Sequence, residues 1–134
     1  MLKKTVYVLG NLGFEEDSLP LRLIPWLEKE FSDVSFRVLD PTENFPEEEH
    51  LVLIDTAINA DEVKIVKDAD IDKIQQSPSY SLHDFDLGTQ LKLMKKIGRL
   101  KEVIIICVPP PSKISMEKAF EGVKKEIKKI LLLS

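Results

Sequence analysis

The sequence predicts an α/β fold, a three-layer α/β/α sandwich around a twisted, mostly parallel sheet of about five strands. Apolar runs of strand length alternate along the chain with segments whose apolar residues recur at helical spacing. Two of the runs, Leu51–Ile54 and Val103–Val108, contain no polar alternation, which is typical of strands buried on both faces of a parallel sheet. The 134 residues suffice for one domain, residues 1–134, with a full hydrophobic core.

The first half of the chain predicts three strands and one helix. The apolar, β-branched segment Thr5–Leu9 predicts the first strand. A helix is expected from Ser18 to Phe31, because proline is tolerated in a first turn and leucines then recur every four residues. Ser35–Leu39 predicts a second strand, and the acidic segment 41–50 predicts a surface loop. The third strand is the buried run Leu51–Ile54.

The second half predicts two more strands and two helices. Alternation over Glu62–Lys67 favours a strand near an edge, antiparallel through a turn at Asn59–Asp61. Residues 69–80 predict a loop, and a helix is expected from Ser81, at the start of a capping pattern, to Gly98. The buried strand Val103–Val108 ends at three prolines, and a last helix follows to the C-terminus.

Composition excludes several classes of partner and site. The formal charge of −4 gives no electrostatic reason to expect nucleic acid as a partner. No run approaches the ~18 apolar residues of a membrane span, so no membrane insertion is expected. The one cysteine, Cys107, lies in an apolar run and predicts a buried side chain, which fits a cytoplasmic location. The first strand is too short for the apolar region of a signal peptide.

Three residues far apart in the chain predict one metal site: Asp17, Asp55 and His83. Asp17 follows the first strand, Asp55 ends the third, and His83 lies at a serine-led helix start. Ligands of doubly wound sheets bind outside the carboxyl ends of the strands, where the strand order reverses. With a strand order of 2-1-3, that point lies between the first and third strands. Two carboxylates and one imidazole suit a divalent transition ion.

Each of these residues also has a structural interpretation. Asp17 could stabilise the first helix through its dipole, and Asp55 could cap a turn. His83 in a first helical turn is a less natural structural choice, because a protonated imidazole opposes the dipole. Glu16 is interpreted as a solvated neighbour of Asp17 or, alternatively, as the ligand itself. His50, beside three glutamates, is interpreted as an exposed residue on a charged loop.

Other catalytic and binding motifs are missing from the sequence. The segment Gly10–Gly13 lacks the phosphate-binding patterns GxGxxG and GxxxxGK[ST], and the neighbouring acids would repel an anion. No HExxH motif of ordinary zinc peptidases and no GxSxG serine elbow are present. Nucleophilic catalysis by Cys107 is not expected because its strand is buried.

These segments together resemble the [NiFe]-hydrogenase maturation endopeptidases. The run Val8-Leu-Gly-Asn-Leu-Gly-Phe-Glu-Glu-Asp17 is similar to the N-terminal signature of that family, a strand followed by Gly-Asn and paired acids. The resemblance continues at the following segments: Val38–Asp40, Leu53–Ala57, Ser81–His83 and Val108-Pro109. It implies a twisted five-stranded sheet between helices, in agreement with the fold predicted above.

The resemblance also implies a function. Members remove a short C-terminal peptide from the hydrogenase large subunit precursor after nickel insertion. Matched by position, Asp17, Asp55 and His83 would be the catalytic and nickel-binding residues, with Asp40 a possible secondary acid. The nickel would be supplied by the substrate as a recognition device, and a role in polarising the carbonyl or activating water stays open. The alternative is a non-enzymatic metal-binding or interaction module that keeps the triad.

This chain departs from the family pattern at two places. Members usually have glycines after the acid pair, where this chain has Ser18-Leu19-Pro20. They commonly have a glycine-rich stretch after the second-strand aspartate, where this chain has Pro41–Phe45. A divergent member with a different target is therefore one interpretation.

Overall fold

The computed structural model describes residues 4–40, 46, 48–67 and 101–133, and within them a five-stranded sheet. Its strands are β1 (Lys4–Val8), β2 (Val34–Val38), β3 (His50–Thr56), β4 (Lys64–Lys67) and β5 (Glu102–Val108). The strand order is β2-β1-β3-β5-β4, and every neighbouring pair is parallel except β4 with β5. The predicted mostly parallel α/β sheet is therefore confirmed.

β3 and β5 are the centre of the sheet. They pair in register over seven residues, from His50 opposite Glu102 to Thr56 opposite Val108. Six of the seven residues of β3 are buried, and so are five of the seven in β5, among them Cys107. Burial on both faces explains why the sequence shows continuous apolar runs here. The expectation of a buried cysteine is confirmed.

The edge strand β4 corrects one expectation. It is a short antiparallel edge strand, as its alternation predicted, but its partner is β5. The predicted turn at Asn59–Asp61 therefore does not make β3 and β4 an antiparallel pair, because β5 lies between them in the sheet. The apolar β5 covers the whole length of β3, whereas β4 begins and ends with lysines suited to an exposed edge.

The helix expected from Ser18 to Phe31 is two helices, α1 (Leu19–Arg22) and α2 (Ile24–Glu30). The break falls at Leu23, two residues before Pro25. Proline has no N–H to continue the backbone ladder and its ring crowds the preceding turn, so a new helix begins with Pro25 in its first turn. Ser18 precedes α1, but its hydroxyl donates to the carbonyl of Glu15 instead of capping the helix.

The last helix, α3 (Met116–Leu133), packs with α1 and α2 on one face of the sheet. The buried residues of α3 recur at helical spacing: Ala119, Val123, Ile127 and Ile130. The opposite face is buried as well, through Leu51, Leu53 and Ile105. The loop predicted at 69–80 and the helix predicted from Ser81 to Gly98 lie outside the described residues. Among the described helices, none is both long and apolar enough to cross a membrane.

Gly122 fixes the distance between α3 and the segment that leads into β4. A Cβ at this position would lie 2.7 Å from both Cβ and Cγ2 of Val63. Gly122→Ala should therefore lower the free energy of unfolding by about 1 kcal/mol, because overpacking of ~1–3 kcal/mol outweighs the ~1 kcal/mol gain in helix propensity. Urea unfolding measures the change.

A second background separates the two contributions. In the Val63→Gly background, the side chain that the new Cβ would meet is missing. Gly122→Ala should therefore stabilise that variant through the higher helix propensity of alanine alone. A Gly122→Ala substitution that has the same effect in both backgrounds would contradict this explanation.

Candidate active site

The strand order reverses between β1 and β3, as the candidate site requires. β2 lies on one side of β1 and β3 on the other, and the two later strands, β5 and β4, lie beyond β3. Beyond the strands the backbone stays paired: Leu39 N–H donates to the Val8 carbonyl at 2.9 Å, and Leu9 N–H donates to the Ile54 carbonyl at 2.8 Å. The carboxyl ends of β2, β1 and β3 therefore form one continuous edge, where doubly wound sheets bind ligands.

Asp55 lies at this edge and is fully buried, with 0% of its surface exposed. It is the sixth residue of β3 and is opposite Cys107 of β5. The backbone N–H of Thr56 donates to Asp55 Oδ1 at 2.8 Å and fixes the orientation of the carboxylate. Side chains alternate along a strand, so Asp55 shares a face with Leu53, opposite the face that α1 to α3 cover. A carboxylate buried at a switch point is a strong candidate for a functional residue.

Asp17 is held over the end of β1 by its backbone. It ends a 3₁₀ turn, its N–H donates to the Phe14 carbonyl at 2.9 Å, and its carbonyl accepts from Asn11 N–H at 2.8 Å. Gly10 allows this close approach, because its φ is 155° and a Cβ there would lie 2.7 Å from the Asp17 carbonyl oxygen. Asp17 is 6% exposed. The loop after β1 thus brings a second buried acid to the edge on which Asp55 lies.

The structure describes Asp40 but not His83, the two remaining residues of the predicted site. Asp40 follows β2 at the same edge and is exposed. The strand registers place it two strands from Asp55, roughly 10 Å across the sheet. His83 lies outside the described residues. Within residues 4–40, 46, 48–67 and 101–133, no group of three acidic, histidine or cysteine side chains could hold a metal ion. The full predicted site therefore requires His83.

The loop after β5 contacts the loops that follow β1 and β3. Ser112 Oγ donates to Glu16 Oε2 at 2.6 Å, and Lys113 Nζ lies 3.8 Å from Asp61 Oδ1. Glu16, the half-buried neighbour of Asp17, thus accepts an exposed hydrogen bond from a residue 96 positions away, and its possible role as the ligand stays a prediction. No sequence signal identified Ser112, because the three prolines before it predicted only the end of a strand.

His50 lies at the opposite edge of the sheet. It begins β3, its side chain is 58% exposed, and Nδ1 lies 3.7 Å from Glu102 Oε1. Five residues of extended strand separate it from Asp55, roughly 17 Å. The expectation that it is exposed is confirmed, but it lies on a strand and not on the predicted loop. Its distance from Asp55 makes it a suitable control position.

Tyr7 has a clearly raised pKa. Burial, a hydrogen bond to Glu48 and the charge of that carboxylate raise the pKa of Tyr7 to about 12, and nearby Arg37 opposes this only in part. The phenol is therefore neutral around pH 7 and is not a general base there. Its role is to join β1 to the residues that precede β3.

The family assignment comes from the sequence of residues 36–133. That range matches the family model described as hydrogenase maturation protease, HycI, over well more than half of the chain. The chain belongs to the hydrogenase maturation protease family. The resemblance found in the sequence is thereby confirmed, and the chain is a peptide hydrolase rather than a non-enzymatic module. The matched range includes Asp55 and His83 but begins after Asp17, so the assignment of Asp17 depends on its position in the fold.

Solved structures of this family share the fold. The hydrogenase maturating endopeptidase HybD from E. coli has a TM-score of 0.65 at 17% identity, covering 94% of this chain and 93% of its own. The [NiFe] hydrogenase maturation protease HybD from Thermococcus kodakarensis has a TM-score of 0.61 at 20% identity, covering 96% of this chain and 98% of its own. An endopeptidase from Escherichia coli has a TM-score of 0.65 at 18% identity, covering 89% of each chain. No curated protein sequence matched the chain.

Proposed function

We propose that this protease removes a C-terminal peptide from the nickel-loaded [NiFe]-hydrogenase large subunit precursor and acts in the cytoplasm. The observation that carries the proposal is the pair of buried acids, Asp17 and Asp55, at the strand-order reversal of a hydrogenase maturation protease. Hydrolysis adds one water across the scissile peptide bond and yields a new carboxylate on the large subunit and an amine on the released peptide.

Asp17, Asp55 and His83 are the residues that would bind the nickel of the precursor. Two carboxylates and an imidazole are suitable donors for a divalent transition ion, and three protein ligands leave positions open for groups of the substrate. When bound, the ion would supply a fixed point of attachment and a Lewis acid at the scissile bond. Asp40 is a secondary candidate whose exposure suits contact with substrate rather than a buried ligand position.

The chain holds its two described acids in place before substrate arrives. Thr56 N–H fixes one oxygen of Asp55, and the two backbone hydrogen bonds of Asp17 fix the position of its main chain. Ligands that are already oriented cost less to bring into a binding geometry, which favours recognition of a metal carried by another protein.

The decisive experiment is incubation of the protein with unprocessed, nickel-loaded large subunit, followed by mass spectrometry. We expect wild type to yield a shorter large subunit and a released peptide. His83→Ala should abolish processing, because it removes the imidazole ligand. His50→Ala should process like wild type, because His50 is exposed at the opposite edge of the sheet. Equal processing by the two variants would exclude His83 from the site.

The same assay separates recognition from chemistry. Nickel-free precursor should resist wild-type protein if the metal is the point of attachment, and its efficient cleavage would contradict the proposed role of nickel. A chelator should leave the circular dichroism of the protein unchanged, because the described core is built from apolar side chains rather than from metal ligands, in contrast to zinc fingers.

A further inference from the structure

Two large apolar side chains are exposed on the loop that carries Asp17. Leu12 is 67% exposed and Phe14 is 55% exposed. The described part of the chain has five exposed large apolar residues, and these two lie within five positions of Asp17. Single exposed apolar residues are ordinary on a protein surface, but a pair beside a candidate site indicates contact with a partner.

The loop holds both side chains in the solvent. Phe14 N–H donates to the Asn11 carbonyl at 3.2 Å, and Gly13 N–H donates to Asn11 Oδ1 at 2.8 Å. Asn11 N–H is itself bonded to the Asp17 carbonyl. These bonds close the turn around Leu12 and fix the backbone that carries the two exposed side chains. A fixed apolar surface loses little conformational entropy when a partner covers it.

The charge next to this pair indicates the chemistry of the partner. Glu15 directly follows Phe14 and its side chain is 79% exposed. Its ion pair with Arg22 is long, at 3.9 Å, and both side chains are exposed, so it neutralises the carboxylate weakly. The surface that leads to Asp17 is therefore apolar and then acidic.

We propose that Leu12, Phe14 and Glu15 are the docking surface for the large subunit precursor, and that they bind an apolar segment of it flanked by a basic residue. The inference rests on the proposed function, because the precursor is the occupant. Glu15 and Asp17 share one 3₁₀ turn that begins after Phe14, so a segment bound to this surface lies close to the loop that carries Asp17. Covering the two apolar side chains drives the association, and Glu15 sets the direction in which the segment lies.

The test is steady-state processing of nickel-loaded precursor by Leu12→Ser, Phe14→Ser and the double variant. Each single substitution should raise KM about tenfold and the double about a hundredfold, as expected for loss of one and two buried apolar side chains. kcat should stay near the wild-type value, because the acids are untouched. Leu132→Ser is the matched control: it is 86% exposed near the end of α3 and should leave KM unchanged.

Glu15→Gln tests the basic flank. Wild-type KM should rise with salt concentration, and this rise should be smaller in Glu15→Gln. A KM in Phe14→Ser equal to that of wild type, while wild type cleaves, would overturn the inference and leave the proposed function standing. Absence of cleavage by wild type would overturn the proposed function instead. A wild-type dimer that dissociates in the double variant would show that a second copy of the chain, not the precursor, covers this surface.

Discussion

Replacing Asp55 with asparagine should abolish nickel binding and reduce precursor processing by at least about a hundredfold. The substitution keeps the shape of the side chain and an oxygen that can accept the Thr56 N–H, so the fold should persist. It removes the negative charge that a metal ligand at this buried position supplies, and loss of one charged ligand typically weakens a three-ligand site severely. Calorimetric titration with nickel or cadmium should show one site in wild type and none in the variant.

Two other aspartates are controls for this result. The Asp33→Asn variant should bind nickel like wild type in the calorimetric experiment, because Asp33 is exposed and precedes β2 at the amino edge of the sheet. Asp40 lies at the carboxyl edge, and the Asp40→Asn variant should still bind metal like wild type. A loss of precursor processing in this variant would assign Asp40 the role of secondary acid. Wild-type metal affinity in Asp55→Asn would remove Asp55 from the site.

Gly10→Ala should lower the free energy of unfolding by at least about 2 kcal/mol and weaken metal binding at the same time. The φ of 155° is one that side-chain-bearing residues rarely adopt, and such strain costs about 1–3 kcal/mol. The added Cβ would also lie 2.7 Å from the Asp17 carbonyl oxygen, a rigid backbone atom that must move. Because Asp17 then moves with its turn, stability and nickel affinity should fall together.

Gly13→Ala separates this effect from a general requirement for glycine in the loop. Gly13 does not have a positive φ, and its nearest neighbour would be the Asn11 side-chain oxygen at 3.3 Å, which can adjust. Its cost should stay below about 1 kcal/mol. Urea unfolding and nickel titration of both variants test the comparison, and similar losses in the two would contradict the specific role of Gly10.

The sequence by itself determined the central strands and most of the topology. Continuous apolar runs identified β3 and β5, because a strand buried on both faces has no solvent side on which to place polar residues. It also located Asp17 and Asp55, because the carboxyl ends of parallel strands meet at one edge and the order β2-β1-β3 reverses there. Local patterns suffice for such features.

Pairings between distant segments required the tertiary structure. The partner of β4, the break of the first helix at Leu23 and the bond between Ser112 and Glu16 were not predicted. Pro25 is a local signal for the break, but the apolar residues keep helical spacing across it and so predicted one continuous helix. The partner of β4 and the Ser112–Glu16 bond depend on which distant segments meet after folding. β5 pairs with β3 along its whole length, and Ser112 bonds to Glu16 across 96 positions. No local spacing in the sequence encodes such contacts.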